Sequence, residues 1–298
     1  MTEVSSPDHK RKVVVIGHTG FIGRSLVECF RNAFPDLEVL TPPRIDLSRA
    51  EEAARLAPWL TTDSIVVLCA AVKKQLGDSL DIFSTNLRVT ENLCRMLEKH
   101  PPARVVYFSS ASVYGEGSSN LDITESTAIN PSTYYGVGKY CAEELLKKTL
   151  EHTRTSLLIL RAPLIYGTGD KSRGYGPTGF VWNALYSNGD ITLWGGGEEL
   201  REFVFIDDAA RIACELALHG YAGVVNIATG TSHSFREILD CLAQHAPLAV
   251  TSKPRSKPRV DQAYRNRLLR ELLPGAAFTS LHEGIARLLA DFSLEETA

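Results

Sequence analysis

A tyrosine and a lysine stand four residues apart at the start of the helix-like stretch YYGVGKYCAEELL, where they are Tyr135 and Lys139. Residues at this spacing share one face of a helix, whereas Tyr134 is rotated away from the lysine. A nearby ammonium stabilises a phenolate, so we expect it to lower the pKa of Tyr135. Tyr135 would then exchange a proton with a substrate hydroxyl or carbonyl. The spacing also arises by chance, so this interpretation depends on the rest of the chain.

A serine ends the apolar segment RVVYFSS (104–110), which is typical of a buried strand. Open α/β sheets bind ligands at the carboxyl ends of their strands. Ser110 is therefore a candidate to hydrogen-bond the same substrate oxygen as Tyr135. By itself, a hydroxyl in this place is as compatible with a purely structural hydrogen bond.

Three glycines, Gly17, Gly20 and Gly23, separate a β-branched run from an amphipathic segment in VVVIGHTGFIG. Such a turn lets the backbone approach a pyrophosphate closely and directs a helix N-terminus at it. The alternative is a tight strand-to-helix turn with no ligand. We expect a dinucleotide site here, because the motif lies between a strand and a helix.

The choice of dinucleotide depends on the residues after the second predicted strand, TPPRID. An acid about 20 residues beyond the glycine turn usually binds the ribose 2′-hydroxyl. Arg44 stands near this place and Asp46 follows slightly late. An arginine can accommodate a 2′-phosphate, so the predicted cofactor is NAD(P) with a weak preference for NADP. Arg44 could equally be an exposed loop residue.

Strand-like and helix-like segments alternate through the first half of the chain. This order predicts a doubly wound parallel (Rossmann) sheet covered by helices on both faces, an α/β fold. The predicted strands are 12–17, 37–40, 64–71, 104–110 and 156–161, and the predicted helices are 21–34, 48–60, 81–100 and one that begins near Tyr135.

The regular alternation of strand-like and helix-like segments ends after about residue 163. We expect a glycine-rich loop at 166–179, a hairpin and helix within 191–218, a connector at 251–259 and a final helix near 282–292. The predicted domains are a disordered tail (1–11), an NAD(P)-binding Rossmann domain (12–165) and mainly a smaller C-terminal substrate lobe (166–298). A strand at 223–228 belongs either to this lobe or to the main sheet.

Composition excludes several other classes. The 298 residues are 44% hydrophobic and 22% charged, with a net charge of −3, so we expect no nucleic-acid or membrane partner. No apolar run is long enough for a membrane span or a signal peptide. Six scattered cysteines without CxxC predict buried thiols in the cytoplasm, and no Cys or His spacing predicts a metal.

With these motifs in this order, the chain from about 12 to 292 resembles the extended short-chain dehydrogenase/reductases. Within them it is similar to the NAD(P)-dependent epimerase/dehydratase family, whose members act on nucleotide-activated sugars. The matching segments are GHTGFIG, CAAVKK, SSASVYG, YYGVGK, RAPLIYG and REFVFIDDAAR.

The resemblance implies a site as well as a fold. The implied catalytic residues are Ser110, Tyr135 and Lys139. The expected substrate residues are Ser110, Ser112 and Asn183, with Arg201 and Arg259 on the nucleotide diphosphate, although either arginine could instead be solvated. Together with the residues discussed above, the expected cofactor set is Gly17, Thr19, Gly20, Phe21, Ile22, Gly23, Arg44, Asp46, Ala70, Ala71, Lys73, Asn86, Tyr135, Lys139 and Pro163.

Departures from the family pattern narrow the expected reaction. The 4,6-dehydratases carry an Asp-Glu pair where this chain has Ala111 and Ser112. The GDP-fucose synthase type uses a cysteine and a histidine, but Ser112 holds the cysteine position and the loop 166–179 has no histidine. Simple carbonyl–alcohol redox remains: a 4-ketosugar reductase, or a 4-epimerase with tightly bound NAD.

Two further alternatives are a non-catalytic NAD(P)-binding regulator and an enzyme for a non-sugar carbonyl. The family also implies a homodimer through helices at about 81–99 and 135–150. The apolar residues there that fit such an interface are Leu87, Leu93, Leu145 and Leu146.

Overall fold

A computed structural model describes residues 11–70, 77–187, 189–245, 247–256 and 258–295. Residues 1–10 of the predicted tail, and the expected cofactor residues Ala71 and Lys73, lie outside these ranges. Within them, no helix is long and apolar enough to cross a membrane.

The elements follow one another along the chain in a largely alternating order. The strands are β1 Lys12–Ile16, β2 Glu38–Leu40, β3 Ser64–Leu68, β4 Arg104–Ser110, β5 Asn120–Ile123, β6 Ser156–Ala162, β7 Leu164–Tyr166, β8 Asp190–Trp194, β9 Leu200–Arg201, β10 Phe203–Phe205, β11 Gly223–Asn226, β12 His233–Ser234, β13 Ala249–Lys253 and β14 Gln262–Tyr264. The helices are α1 Phe21–Ala33, α2 Ala50–Ala53, α3 Leu80–Lys99, α4 Tyr134–Leu150, α5 Pro177–Tyr186, α6 Ile206–His219, α7 Phe235–Leu242, α8 Arg267–Leu272 and α9 Leu281–Glu295.

Six parallel strands form the central sheet, in the order β11-β6-β4-β3-β1-β2. Alternate residues of β1 point to opposite faces: Val13 and Val15 pack with α1 and α6, whereas Val14 and Ile16 pack with α3 and α4. Both faces are therefore buried, which explains why the strands are apolar throughout. The doubly wound α/β fold predicted from the sequence is confirmed.

The later segments contribute to the central sheet as well as to a second core. β11 pairs with β6 at the edge of the main sheet, and α6 packs against α1. The second core lies between α5, α7, α9 and the short strands β8 and β10. The domain boundary at 165/166 stays a prediction.

Two segments differ from the prediction. The expected hairpin within 191–218 is wrong, because β8 pairs with β13 and β9 pairs with β12. The alternation of apolar and polar residues in β8 indicates that Ile191 and Leu193 are buried, but it does not identify the strand that pairs with β8. The expected helix at 48–60 is α-helical only over α2 and continues as a 3-10 helix that contains Pro58, which lacks an amide donor.

Candidate active site

The glycine turn between β1 and α1 is shaped by two residues that must lack a side chain. Gly17 has a φ of +96°, and a Cβ on it would lie 2.6 Å from the backbone nitrogen of Ala70. A Cβ on Gly23 would lie 2.1 Å from the Gly17 carbonyl oxygen. Gly20 is the N-cap of α1, and the first turn of this helix carries no acidic residue. The turn is therefore a backbone cradle at a helix N-terminus, which suits an anionic group.

A cavity of about 300 Å³ extends from this cradle across the carboxyl edge of the sheet. Arg44 lines one end, beside Pro42 and Pro43, and apolar side chains such as Leu47 and Leu56 form part of the wall. The cradle, the helix N-terminus and this wall fit a dinucleotide. The expected residues that line the cavity are Gly17, Thr19, Gly20, Phe21, Ile22, Gly23, Arg44, Ala70, Tyr135 and Lys139.

Three expected cofactor residues do not line the cavity. The carboxylate of Asp46 accepts hydrogen bonds from the amide (3.0 Å) and hydroxyl (2.7 Å) of Ser48, which lower its pKa. Asn86 lies within α3, and Pro163 lies between β6 and β7. At the end of β2, Arg44 therefore borders the cavity and Asp46 does not.

The tyrosine and the lysine are positioned by the first turns of α4. The Thr133 hydroxyl caps this helix by accepting from the Gly136 amide at 3.0 Å, and the Asp78 carboxylate accepts from the Tyr135 amide at 2.9 Å. Tyr135 and Lys139 both line the cavity. Tyr134 is 46% exposed, and its ring packs 6.3 Å from that of Phe83. The structure thus separates the two neighbouring tyrosines by helix face.

The Lys139 ammonium is buried at the floor of the cavity. It donates to the Phe108 carbonyl at 2.7 Å and lies 5.9 Å from the centre of the Tyr135 ring. Burial lowers the pKa of Lys139 to about 8, although the nearby Cys69 and Glu143 act in the opposite direction.

The expected lowering of the pKa of Tyr135 by Lys139 is wrong for this structure. Burial raises the pKa of Tyr135, and a side-chain hydrogen bond with Ser110 only partly opposes the rise. The physical reason is that the low-polarity surroundings disfavour the phenolate, while the ammonium bonds to a carbonyl instead of the phenol.

Ser110 and Ser112 lie together where β4 ends. The Ser110 hydroxyl donates to the Ser112 hydroxyl at 3.1 Å and accepts from the Ser112 amide at 3.2 Å. The structure therefore places Ser110 and Ser112 at the carboxyl end of β4, although it is Ser109, Tyr135 and Lys139 that line the cavity.

The two expected phosphate-binding arginines lie near each other in the second part of the fold. Arg201 donates to the Leu200 carbonyl at 2.9 Å and also to that of Val260. Arg259, whose side chain is 44% exposed, pairs with Asp261 at 2.9 Å. Neither lines the cavity around the glycine turn. Asn183 lies in α5, where its carbonyl accepts amides of the following turn.

Sequence reasoning missed a buried polar cluster beneath the lysine. Glu143 on α4 is fully buried and pairs with Arg161 of β6, and Ser109 also contacts it. Two signals were available: Glu143 follows Lys139 by four residues, and Arg161 interrupts an apolar strand. No group of three His, Cys, Asp or Glu side chains in the described part of the chain could hold a metal ion.

The family assignment follows from this fold and from the sequence comparison. The model of the NAD dependent epimerase/dehydratase family matches residues 13–228, which contain the whole cavity described above. The chain therefore belongs to the NAD dependent epimerase/dehydratase family.

Relatives in this family carry several names. A protein of Methanocaldococcus jannaschii, provisionally named a UDP-glucose 4-epimerase, is 30% identical over 236 residues, which are 76% of each chain. GDP-L-fucose synthase 1 of Arabidopsis thaliana is 25% identical, over 82% of this chain and 80% of the relative. The structure of RMD from Pseudomonas aeruginosa complexed with NADPH has a TM-score of 0.85 at 22% identity, and the match covers 96% of this chain and 99% of that one. This last likeness concerns the fold alone.

Proposed function

We propose that the protein is an NAD(P)-dependent oxidoreductase that reduces a nucleotide-activated 4-ketosugar. The observation that carries this proposal is the position of Tyr135, which lines the cavity one helical turn before Lys139 on α4 and whose pKa is raised by burial. A phenol that is neutral at pH 7 is a proton donor, and reduction of a carbonyl requires a donor at the oxygen.

The chain's own residues would then divide the work of the reaction. The nicotinamide, when bound, supplies the hydride. Ser110 would hydrogen-bond the carbonyl oxygen, and Tyr135 would give that oxygen the proton that completes the alcohol. Lys139 would stabilise the phenolate left on Tyr135.

The same proposal assigns the binding residues. The glycine turn would hold the pyrophosphate of NAD(P), and Arg44 the 2′-phosphate of NADP. Arg201 and Arg259 would bind the diphosphate of the substrate, with Ser112 and Asn183 near the sugar. The names of the two sequence relatives support this class of substrate, because UDP-glucose and GDP-L-fucose are both nucleoside diphosphate sugars. A homodimer and a cytoplasmic location remain parts of the proposal.

A second candidate is a nucleotide-sugar 4-epimerase. The observation that favours it is the name of the Methanocaldococcus jannaschii relative, which is the most similar of those described above. Such an enzyme would use bound NAD to oxidise the sugar and then to reduce it again, with no net use of cofactor. Ser110 and Tyr135 would contact the reacting oxygen in both steps.

One experiment separates the candidates. The purified protein is incubated with NADPH or NADH and a panel of nucleoside diphosphate 4-ketosugars, and then with the corresponding sugars. A reductase consumes one NAD(P)H for each ketosugar, whereas an epimerase interconverts the sugars at constant absorbance at 340 nm. If neither reaction occurs, the proposal fails in favour of a non-sugar carbonyl substrate or a non-catalytic regulator.

A further inference from the structure

A buried ion pair lies one helical turn below the lysine of the candidate active site. Tyr135, Lys139 and Glu143 follow one another at four-residue spacing on α4, so they share one face of this helix. The Glu143 side chain is fully buried, and that of Arg161 is 4% exposed. The Arg161 guanidinium donates two hydrogen bonds to the Glu143 carboxylate, from Nη2 to Oε2 at 2.6 Å and from Nε to Oε1 at 3.0 Å. This bidentate geometry holds the carboxylate in one orientation.

Adjacent residues of β4 tie this pair to the lysine. The Ser109 hydroxyl donates to Glu143 Oε1, and the Lys139 ammonium donates to the carbonyl of Phe108, the preceding residue. The Glu143 carboxylate and the Lys139 ammonium are therefore both held by hydrogen bonds to consecutive residues of β4.

The other end of the guanidinium is fixed as well. Arg161 Nη1 donates to the Tyr114 hydroxyl at 3.1 Å, and this hydroxyl donates to Asn226 Oδ1 at 2.7 Å. Burial alone would lower the pKa of Arg161, but its contacts with Glu143 and Tyr114 outweigh burial and raise it. The arginine thus stays charged and keeps the carboxylate in place.

Four titratable side chains face the Lys139 ammonium, and Glu143 is the one carboxylate among them. Cys69 faces Lys139 from the position just after β3, Tyr107 from β4 with its ring centre at 4.9 Å, and Tyr135 and Glu143 from α4. Burial raises the pKa of Cys69 to about 12 and the pKa values of both tyrosines, so these three groups are neutral at pH 7. Cys69 and Glu143 both oppose the effect of burial on the pKa of Lys139, and of the four groups Glu143 is the one carboxylate.

We propose that Glu143 is a positioning residue for Lys139: anchored by Arg161 and Ser109, its carboxylate keeps the buried ammonium charged beside Tyr135. The catalytic meaning of this role rests on the proposed function, whereas its electrostatic effect does not. Without the carboxylate, Lys139 loses its proton at lower pH, and the support for a developing phenolate is lost with it.

The test is a titration of Lys139 in the full chain without substrate. The protein is labelled with 13Cε-lysine, and the Lys139 resonance is identified by its absence in Lys139→Arg. Glu143→Gln alone would leave Arg161 buried and unpaired, so the main variant is the double change Glu143→Gln with Arg161→Gln, which removes both charges. The matched control is Glu144→Gln, which removes an exposed carboxylate paired with Lys147 on another face of the same helix.

The double variant should lower the pKa of Lys139 by about one unit or more, and the control should leave it unchanged. Glu143→Asp retains the charge at a greater distance and should lower the pKa by a smaller amount. Glu143→Asp also decides the question if the double variant does not fold. An unchanged Lys139 pKa in the folded variants would overturn the proposal.

Activity supplies the second readout. If Lys139 supports Tyr135, the loss of turnover on the alkaline side of the pH profile should move to lower pH in parallel with the titration. If the pKa of Lys139 falls but the alkaline limb of the pH profile of turnover does not move, the positioning role is overturned. Failure of the proposed function is recognised separately, because wild-type protein would then turn over no member of the sugar panel while the titration result still stands.

Discussion

The Lys139 ammonium lies 5.9 Å from the centre of the Tyr135 ring, yet its 2.7 Å hydrogen bond goes to the Phe108 carbonyl. The hydrogen bond of the lysine therefore goes to the strand, while burial raises the pKa of Tyr135. In the proposed reaction, Tyr135 would act as a neutral proton donor, and Lys139 would stabilise the phenolate that remains.

Tyr135→Phe should reduce turnover by about 10²- to 10⁴-fold, the usual contribution of a general acid or base, and leave cofactor affinity nearly intact. Tyr134→Phe is the matched control and should retain most activity, because Tyr134 is exposed and packs on Phe83. Single-turnover hydride transfer measured across pH compares the two. An inactive Tyr134→Phe beside an active Tyr135→Phe would contradict the assignment.

Arg44 should give the protein a preference for NADPH. We expect Arg44→Ala to weaken the binding of NADPH by about 10- to 100-fold, which is the range for a lost charge-assisted hydrogen bond. The affinity for NADH should change little. Arg49→Ala removes a neighbouring, mainly exposed arginine that does not line the cavity, and it serves as the control. Fluorescence titration measures the dissociation constants of both cofactors for the wild type and the two variants, and tighter binding of NADH by the wild type would refute the preference.

Arg201→Ala should raise the substrate KM at unchanged cofactor affinity. The expected loss is about 2 to 4 kcal/mol if the contact with the diphosphate is buried and charge-assisted. Arg259→Ala should cost less, because its side chain is 44% exposed and already pairs with Asp261. Arg267→Ala, which removes an 88% exposed arginine, is the control for steady-state kinetics. An unchanged KM would remove Arg201 from the site.

Glu202, which lies between β9 and β10, should make stability depend on pH. Its buried carboxyl accepts from the amides of Thr229 (2.7 Å) and Gly230 (3.1 Å), but burial outweighs these bonds and raises its pKa to about 7. A carboxyl with a raised pKa stabilises the fold below its unfolded pKa, and this contribution is lost as pH rises to about 7.

Glu202→Gln removes this titration, although it also loses hydrogen bonds. Its cost relative to wild type should therefore be about 3 kcal/mol smaller at pH 8 than at pH 4, measured by urea unfolding. Glu237→Gln, an exposed acid whose pKa is lowered, should show no such decrease. Equal costs of Glu202→Gln at both pH values would show that Glu202 titrates normally.

A homodimer through α3 and α4 should involve Leu145, which is 37% exposed, and the half-buried Leu87. Leu93 and Leu146 belong to the core of the single chain and give no support to an interface. Leu145→Glu should convert a dimer into a monomer, whereas Leu121→Glu, at another exposed leucine, should not. Sedimentation that shows only monomer for the wild type at micromolar concentration would contradict the dimer.

Most of the sheet and part of the site could be predicted from the sequence because they depend on local pattern. Continuous apolar runs specify strands buried on two faces, and the four-residue spacing of Tyr135 and Lys139 specifies a shared helix face. Gly17 and Gly23 mark a turn that cannot hold a side chain.

What could not be predicted depends on contacts between distant segments. β8 shows which of its residues are buried, but its partner β13 begins 55 residues after the end of β8. The pKa of Tyr135 is set by burial, which spacing does not report. Arg161 stands out in an apolar strand, but the sequence does not show that its partner is Glu143 on α4.

The position of β11 has a consequence for how the chain is made. This strand covers the free edge of β6, but it follows β6 by about 60 residues, which include α5 and α6. During synthesis, the β6 edge is therefore complete yet unpaired while those residues are still being added, and an uncovered strand edge recruits other chains. Shortened versions of the protein that stop between 166 and 222 would keep the glycine turn, Tyr135 and Lys139, but they would expose this edge permanently and aggregate.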